Sequence, residues 1–545
     1  MSNATSPDSA EAERLKNLGN DLFGRKDYRA AHHKYTEAIK RDPNNAILYA
    51  NRAATLLGTK EYMDAADDCR KALEIDPTYA RAWGRLAVAK HSLADWTECF
   101  QAWQKALDCL PSGPLSLAEQ AMKAQFTQGL ARARAAAAKV ESTVDWVTAK
   151  TEASGRLPWD VATSLREEKM KDEEESCWRW SKMFKETAIS KRRSMSAQLF
   201  FFDDSVTEAL TNAILMDERI VHFRNGDFFE KMQRQLEFEN EYFKGWLDDG
   251  GPSLVKEKVM ERLHEEGWQA VRPALAVTVR SWIYQAYIRS AMYGHRDFAH
   301  EMYTRALDIM AWGRQKWPHV SKEDRGAIFE RSFMRGVKKL RMHNMMATIA
   351  ADGTTSSPHT YQDLIDAAGD IIEDVASDPA SPTSDICQGH YDGYWTYPKA
   401  TAFSVLGWAY LQIGLHPPKD DSEAERKGRE LVLTAAMMYY ENAAVNVPED
   451  DENHPKFLRK HLECMCALEK PLKETLPVGM RIQEACANAM VVWGAPPWLD
   501  MIKETLEEMT AFDEKYRKDI KDGRCTLQSV GNINFGPCII SLGPS

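Results

Sequence analysis

Residues 46–79 read AILYANRAATLLGTKEYMDAADDCRKALEIDPTY, and this stretch decides the fold because the chain repeats its pattern on both sides. Asp42-Pro43 and Asp76-Pro77 stand 34 residues apart, and Pro111 follows 34 after Pro77. Gly19, Ala53 and Ala87 share one phase of this period, and Ala31, Ala65 and Cys99 a second. Tyr35, Cys69 and Trp103 share a third, and Ala38, Ala72 and Ala106 a fourth. Small residues set at fixed steps between bulky ones let two antiparallel helices approach closely and interlock. The proline ends the second helix of each pair, since it lacks a donor and clashes with the preceding turn. Self-similarity of this kind marks a stacked array in which each unit buries its apolar face on the next. The units run 12–45, 46–79 and 80–113, after a polar stretch 1–11 expected to be disordered.

The last unit would leave one face bare, so a closing helix is required. Leu115–Val140 fits it. Gly113 and Pro114 break the chain before it, Ser116 and Glu119 have the spacing of a capping box, and the body is rich in Ala and Leu. The repeat domain is therefore expected to span 12–140.

In such a stack the first helix of each pair lines the concave face. Lys16 and Asn20 lie four apart on the first such helix, Asn51 lies on the second, and Arg81 and Arg85 lie four apart on the third. Two cations four apart repel each other unless something neutralises them. The positions three and four away from the two arginines hold Pro77, Thr78, Ala82, Gly84, Val88 and Ala89, none of them acidic, and Lys16 has only Glu13. One groove wall thus keeps positive charge without a local partner.

The period and its residues match the tetratricopeptide repeat (TPR). Over residues 11–140 the chain resembles the chaperone-binding TPR domains of the heat-shock organising protein and the small glutamine-rich TPR co-chaperones. The strings Leu18-Gly19-Asn20, Asn51-Arg52-Ala53-Ala54 and Arg81-Ala82-Trp83-Gly84-Arg85 carry the likeness. The resemblance implies that Lys16, Asn20, Asn51, Arg81 and Arg85 form a carboxylate clamp. In that family the clamp holds the Glu-Glu-Val-Asp tail of heat-shock chaperones of the seventy- or ninety-kilodalton class, and the resemblance implies the same partner here. Arg81 stands where lysine is commoner; it keeps the charge but changes the donor geometry. The chemistry agrees. A terminal aspartate offers two carboxylates close together, which cations grip by charge-assisted hydrogen bonds while amides fix their orientation. Capture of a chain end by such a set suits an affinity near micromolar, about −8 kcal/mol.

The rest of the 545 residues reads as an all-α protein too long for one core. A helical connection is expected over 141–275, a helical region with degenerate TPR-like hairpins over 276–521, and a loosely structured tail over 522–545. Ala299, Tyr303 and Ala306 repeat the second-helix spacing. Leu406, Gly407 and Tyr410, then Ala436, Tyr440, Ala443 and Pro448, repeat a whole unit with an insertion around 416–427. The tryptophans Trp178, Trp180, Trp282, Trp312 and Trp317 read as helix-packing residues.

A formal charge of −11 argues against general nucleic-acid binding. No run of about 18 apolar residues is present to span a membrane. Without an export signal the ten cysteines read as reduced thiols, and a cytoplasmic location is expected. The cluster Lys191-Arg192-Arg193-Ser194 leaves nuclear entry open, though a surface turn is its plainer meaning.

Catalytic signatures fail. Gly19 to Gly24 has phosphate-loop spacing, but Arg25-Lys26 follows it, and His300-Glu301 lacks a second histidine because Thr304 stands in its place. Cys464 and Cys466 point to different sides of a helix. Cys387, His390 and Asp392 make a weak metal set. No cofactor, metal or catalytic residue is therefore expected. The reading is a non-enzymatic adaptor or co-chaperone with a second, unidentified partner for its C-terminal region. A scaffold for another acidic C-terminus, or an enzyme with an unrecognised site in 141–545, are the alternatives.

Overall fold

The computed structural model describes residues 7–93, 95–152, 206–220, 228–246, 251–353, 357–380, 388–416, 422–493 and 498–531. Among them the only extended pairing is an isolated bridge between Pro471 and Val530; the rest is helix and connection. No helix among the described residues is long and apolar enough to cross a membrane. The chain divides into two compact units: 1–147 with 239–326, and 148–238 with 327–545.

The first unit opens with three helical pairs: α1 (Pro7–Gly24) with α2 (Tyr28–Arg41), α3 (Ala46–Gly58) with α4 (Tyr62–Ile75), and α5 (Ala80–Ser92) with α6 (Trp96–Asp108). The second helices α2 and α6 are capped by side chains: Asp27 accepts from Ala30 N and Asp95 from Glu98 N. The interlock takes the expected form. A Cβ added to Gly19 would lie 2.7 Å from the Tyr35 ring, so only glycine admits that tyrosine. Ala31, Ala38, Ala53, Ala65, Ala72, Ala87 and Ala106 are fully buried.

The closing helix α7 spans Leu117–Glu152, twelve residues beyond the expected end at 140. Its capping box forms: Ser116 N donates to Glu119 Oε2 at 2.8 Å and Glu119 N to Ser116 Oγ at 3.3 Å. Two close approaches lock it down. Gly84 faces Phe126 and Gly129 faces Trp103, with added Cβ atoms 2.6 and 2.3 Å from those rings.

The boundary expected at 275/276 does not exist. The helix Trp268–Tyr293 runs through it, and it pairs with Arg296–Lys316 inside the first unit. This hairpin packs on the outer helices of the repeats. Met63 N donates to Glu301 Oε1 at 3.1 Å, Arg305 pairs with Glu301 at 2.6 Å and with Asp64 at 3.8 Å, and Arg289 donates to Leu93 O at 2.7 Å. Gly251 N donates to Asp67 at 2.9 Å, and a side chain at 251 would strike the Asp64 carboxylate. Burial pushes Asp64 up to about 6 and Glu301 up to about 7, against the pull of Arg305. Glu301 of the protease-like string is thus spent on this junction.

The second unit builds three further hairpins: Arg331–Asp352 with Tyr361–Ala376, Tyr397–Leu415 with Glu423–Val445, and Asn453–Ala467 with Leu472–Trp493. Trp498–Lys521 closes them. Gly407 meets Tyr440 at 2.9 Å, the same interlock as Gly19 and Tyr35, although here the two lie 33 rather than 16 residues apart. The tail is not loose over its described part. Leu472 N donates to Ser529 O and Lys473 N to Leu527 O, both at 2.9 Å, and Gly531 packs against Leu472. Cys538-Ile539-Ile540, the basic cluster at 191–194, Trp178 and Trp180 lie outside the described residues. Trp282 and Trp317 are buried, and Trp312 stacks edge-on against Trp317.

Candidate functional site

The site grows from α1, α3 and α5, whose polar side chains touch one another. Tyr35 is buried in the first pair, and its hydroxyl donates to Asn20 Oδ1 at 2.7 Å. Asn51 Nδ2 donates to the same oxygen at 3.2 Å. Arg85 Nη1 then donates to Asn51 Oδ1 at 3.3 Å and to the Ala50 carbonyl at 2.6 Å. Three side chains from the first helices of three successive pairs thus form one hydrogen-bonded chain. With Asn20 Oδ1 used as acceptor, its Nδ2 donors are left for the solvent side.

The two remaining residues differ. Lys16 is held by Glu13 at 2.7 Å, the one acid within its reach along the helix. Arg81 is exposed and makes no hydrogen bond or ion pair among the described residues. Arg85 has no carboxylate partner either; burial lowers its pKa, and the charge of Arg81 adds to the effect. Arg52, next to Asn51 in sequence, faces away and grips Asp68 of α4 with two bonds of 2.7 and 2.6 Å. Cations therefore stand on the first-helix side and the acids of α4 are engaged on the other. The Tyr35 hydroxyl is the functional group that sequence reasoning missed: its ring was explained by packing, and nothing in the register distinguishes it from Cys69 and Trp103 at the same phase.

Of the weak metal set only His390 and Asp392 fall among the described residues. Asp392 is buried and accepts from Gln388 at 2.9 Å and Thr396 at 2.8 Å, while Cys387 lies outside the described residues. Among the described residues, no group of three or more His, Cys, Asp or Glu is placed to hold a metal.

Interlocked helix pairs in a 34-residue phase, closed by an extra helix and lined with amides and cations on their first helices, make the N-terminal segment a tetratricopeptide-repeat domain. Tetratricopeptide-repeat family models match residues 12–45 and 34–66. Over 99 residues, 18% of its length, the chain is 41% identical to the small glutamine-rich tetratricopeptide repeat-containing protein 2 of Saccharomyces cerevisiae, covering 29% of it. It is 28% identical over 103 residues to the heat-shock protein cognate co-chaperone sgt12 of Aspergillus fumigatus, covering 19% of this chain and 30% of that one. The chain thus spans under a third of the length of these two relatives. Among solved structures, the second TPR domain of human RPAP3, in complex with the HSP70 peptide SGPTIEEVD, is similar at 28% identity. That match covers 23% of this chain and 98% of that one with a TM-score of 0.21.

Proposed function

We propose that the groove of the first unit binds the free, acidic carboxyl terminus of a heat-shock chaperone of the seventy- or ninety-kilodalton class, and that the protein acts as a non-enzymatic adaptor or co-chaperone. One observation carries this reading: the bonded chain Tyr35–Asn20–Asn51–Arg85 fixes amide and guanidinium donors beside an unopposed Arg81. A terminal aspartate supplies the two carboxylates such a set lacks. The amides need no rearrangement before contact, which spares ordering entropy on binding. Sequence similarity to a protein named as a heat-shock cognate co-chaperone supports the same partner.

The test is titration of the full chain with a labelled peptide ending in Glu-Glu-Val-Asp, as the free acid and as the C-terminal amide. Micromolar binding of the acid and at least tenfold weaker binding of the amide are expected. Equal binding of the two would remove the basis for the clamp.

A further inference from the structure

The second unit carries a polar site that the first groove does not explain. Pro448 ends a second helix as Pro43 and Pro77 do, so the residues after it can be read in the same phase. Four residues after Pro77 stands Arg81; four after Pro448 stands Glu452. The wall position that is cationic in the first stack is acidic in the second.

Glu452 has a partner from far back in the chain. Arg219 Nη1 lies 3.3 Å from Glu452 Oε1 and 3.1 Å from Asp451 Oδ1, and Nη2 lies 3.3 Å from Asp451 Oδ2. Asp217, on the same segment as Arg219, closes a third side at 2.7 Å. The guanidinium carbon sits 4.9 Å from the Trp493 ring centre and 5.4 Å from that of Tyr397, whose hydroxyl donates to Asp451 at 2.9 Å. Carboxylates at the edge of a guanidinium and aromatic rings over its faces are the recognition chemistry of arginine. Lys456 balances Glu452 at 3.1 Å.

The segment around Arg219 is held along its length. Lys339 donates to the carbonyls of Leu215 at 3.1 Å and Met216 at 3.3 Å. His343 pairs with Glu218 at 2.5 Å. Gly336 and Gly393 leave room for Leu215 and Met216, and residues 213–216 are buried. Lys339, His343 and Tyr397 lie on the first helices of the first two hairpins, Gly393 and Glu452 stand just before first helices, and Trp493 ends the second helix of the third hairpin.

We propose that residues 206–220 are a built-in ligand of the second stack, anchored by Arg219 in a box of Asp451, Glu452, Tyr397 and Trp493. The stack is closed to outside peptides while this segment is seated. Tethering in one chain gives the segment a high effective concentration, which keeps it there. The reading is independent of the chaperone-tail proposal.

Two measurements on the full-length protein decide it. In native-state hydrogen exchange of the wild type, amides 207–216 are expected to open together at lower denaturant than amides 337–348. Opening of both sets only in one global event would overturn the proposal. Second, a labelled peptide of residues 206–220 is titrated into wild type, Arg219→Ala and Glu452→Gln. Arg219→Ala, if it keeps wild-type helicity, should bind the peptide at least tenfold more tightly than wild type; Glu452→Gln, which weakens the box for segment and peptide alike, should not, and the same peptide with alanine at position 219 should bind none of the three. A helical Arg219→Ala protein that fails to bind the peptide would sink the idea, as would wild-type binding equal to it or Glu452→Gln binding as tight as that of Arg219→Ala.

Discussion

In the first stack, the first helices present Lys16, Asn20, Asn51, Arg81 and Arg85; hydrogen bonds join Asn20, Asn51 and Arg85, and carboxylate partners are scarce. In the second, the corresponding helices carry Lys339, His343 and Lys456, with Asp451 and Glu452 just ahead of the third, and each is engaged inside its own unit. Both stacks share the glycine–tyrosine interlock that sets how closely paired helices approach. What differs is whether the polar wall is satisfied from within. A wall short of counter-charge can gain by taking a guest; a wall whose charges are matched at close range loses by giving one up.

The sharpest break in this comparison is Arg219→Ala. It leaves Asp217, Asp451 and Glu452 together without their cation, and should destabilise the second unit by about 3–5 kcal/mol in denaturant unfolding. Tail-peptide affinity should stay within twofold of wild type, since Arg219 lies outside the first unit. Arg81→Ala reverses the pattern. It should weaken binding of the free-acid tail peptide by about 1.5–3 kcal/mol, roughly ten- to a hundredfold, with the unfolding midpoint unchanged.

The pH response separates the stacks further. Burial holds Asp64 at about 6 and Glu301 at about 7, above the ordinary carboxylate values of 3.8 and 4.5. Raised carboxylate values favour the folded state when protonated. Their stabilisation is therefore full below about pH 4 and is lost as pH rises through 6 and 7. Between pH 5 and pH 8 these groups together should cost the first unit about 4 kcal/mol, most of it from Glu301, and Glu301→Gln should flatten the slope. A slope that Glu301→Gln leaves untouched would assign the effect to other groups. The smallest effect expected is that of Tyr35→Phe. Losing the bond to Asn20 should cost about 0.5–1.5 kcal/mol of stability and loosen the tail peptide by a comparable amount, read by titration calorimetry.

Much of this was readable along the chain, for definite reasons. The repeat phase of 12–113 shows because packing demands the same small residue at the same step each time. Ser116 and Glu119 gave the start of α7, yet its extent past 140 was hidden, since Ala-rich sequence carries no stop signal before 153. The five groove residues were named from their resemblance to the clamp positions of chaperone-binding TPR domains, and the structure links Asn20, Asn51 and Arg85 directly while setting Lys16 against Glu13. The Gly407–Tyr440 register survived an insertion that doubles its sequence separation. The Arg219 site could not be read. Its cation and its carboxylates lie 232 residues apart, and the acidic string before Asn453 looks in sequence like a solvated loop. The junction at Glu301 was missed for the same reason: its partners on α4 are 238 residues away.

The meeting of Gly129 with Trp103 also limits how the receptor can be shortened. A truncation just after Pro111 would retain every one of the five groove residues, yet it would strip Trp103 and Gly84 of the surface they rest on. Any excised version meant to catch a peptide must therefore run past Leu130, so the smallest working receptor is longer than the repeats that name it.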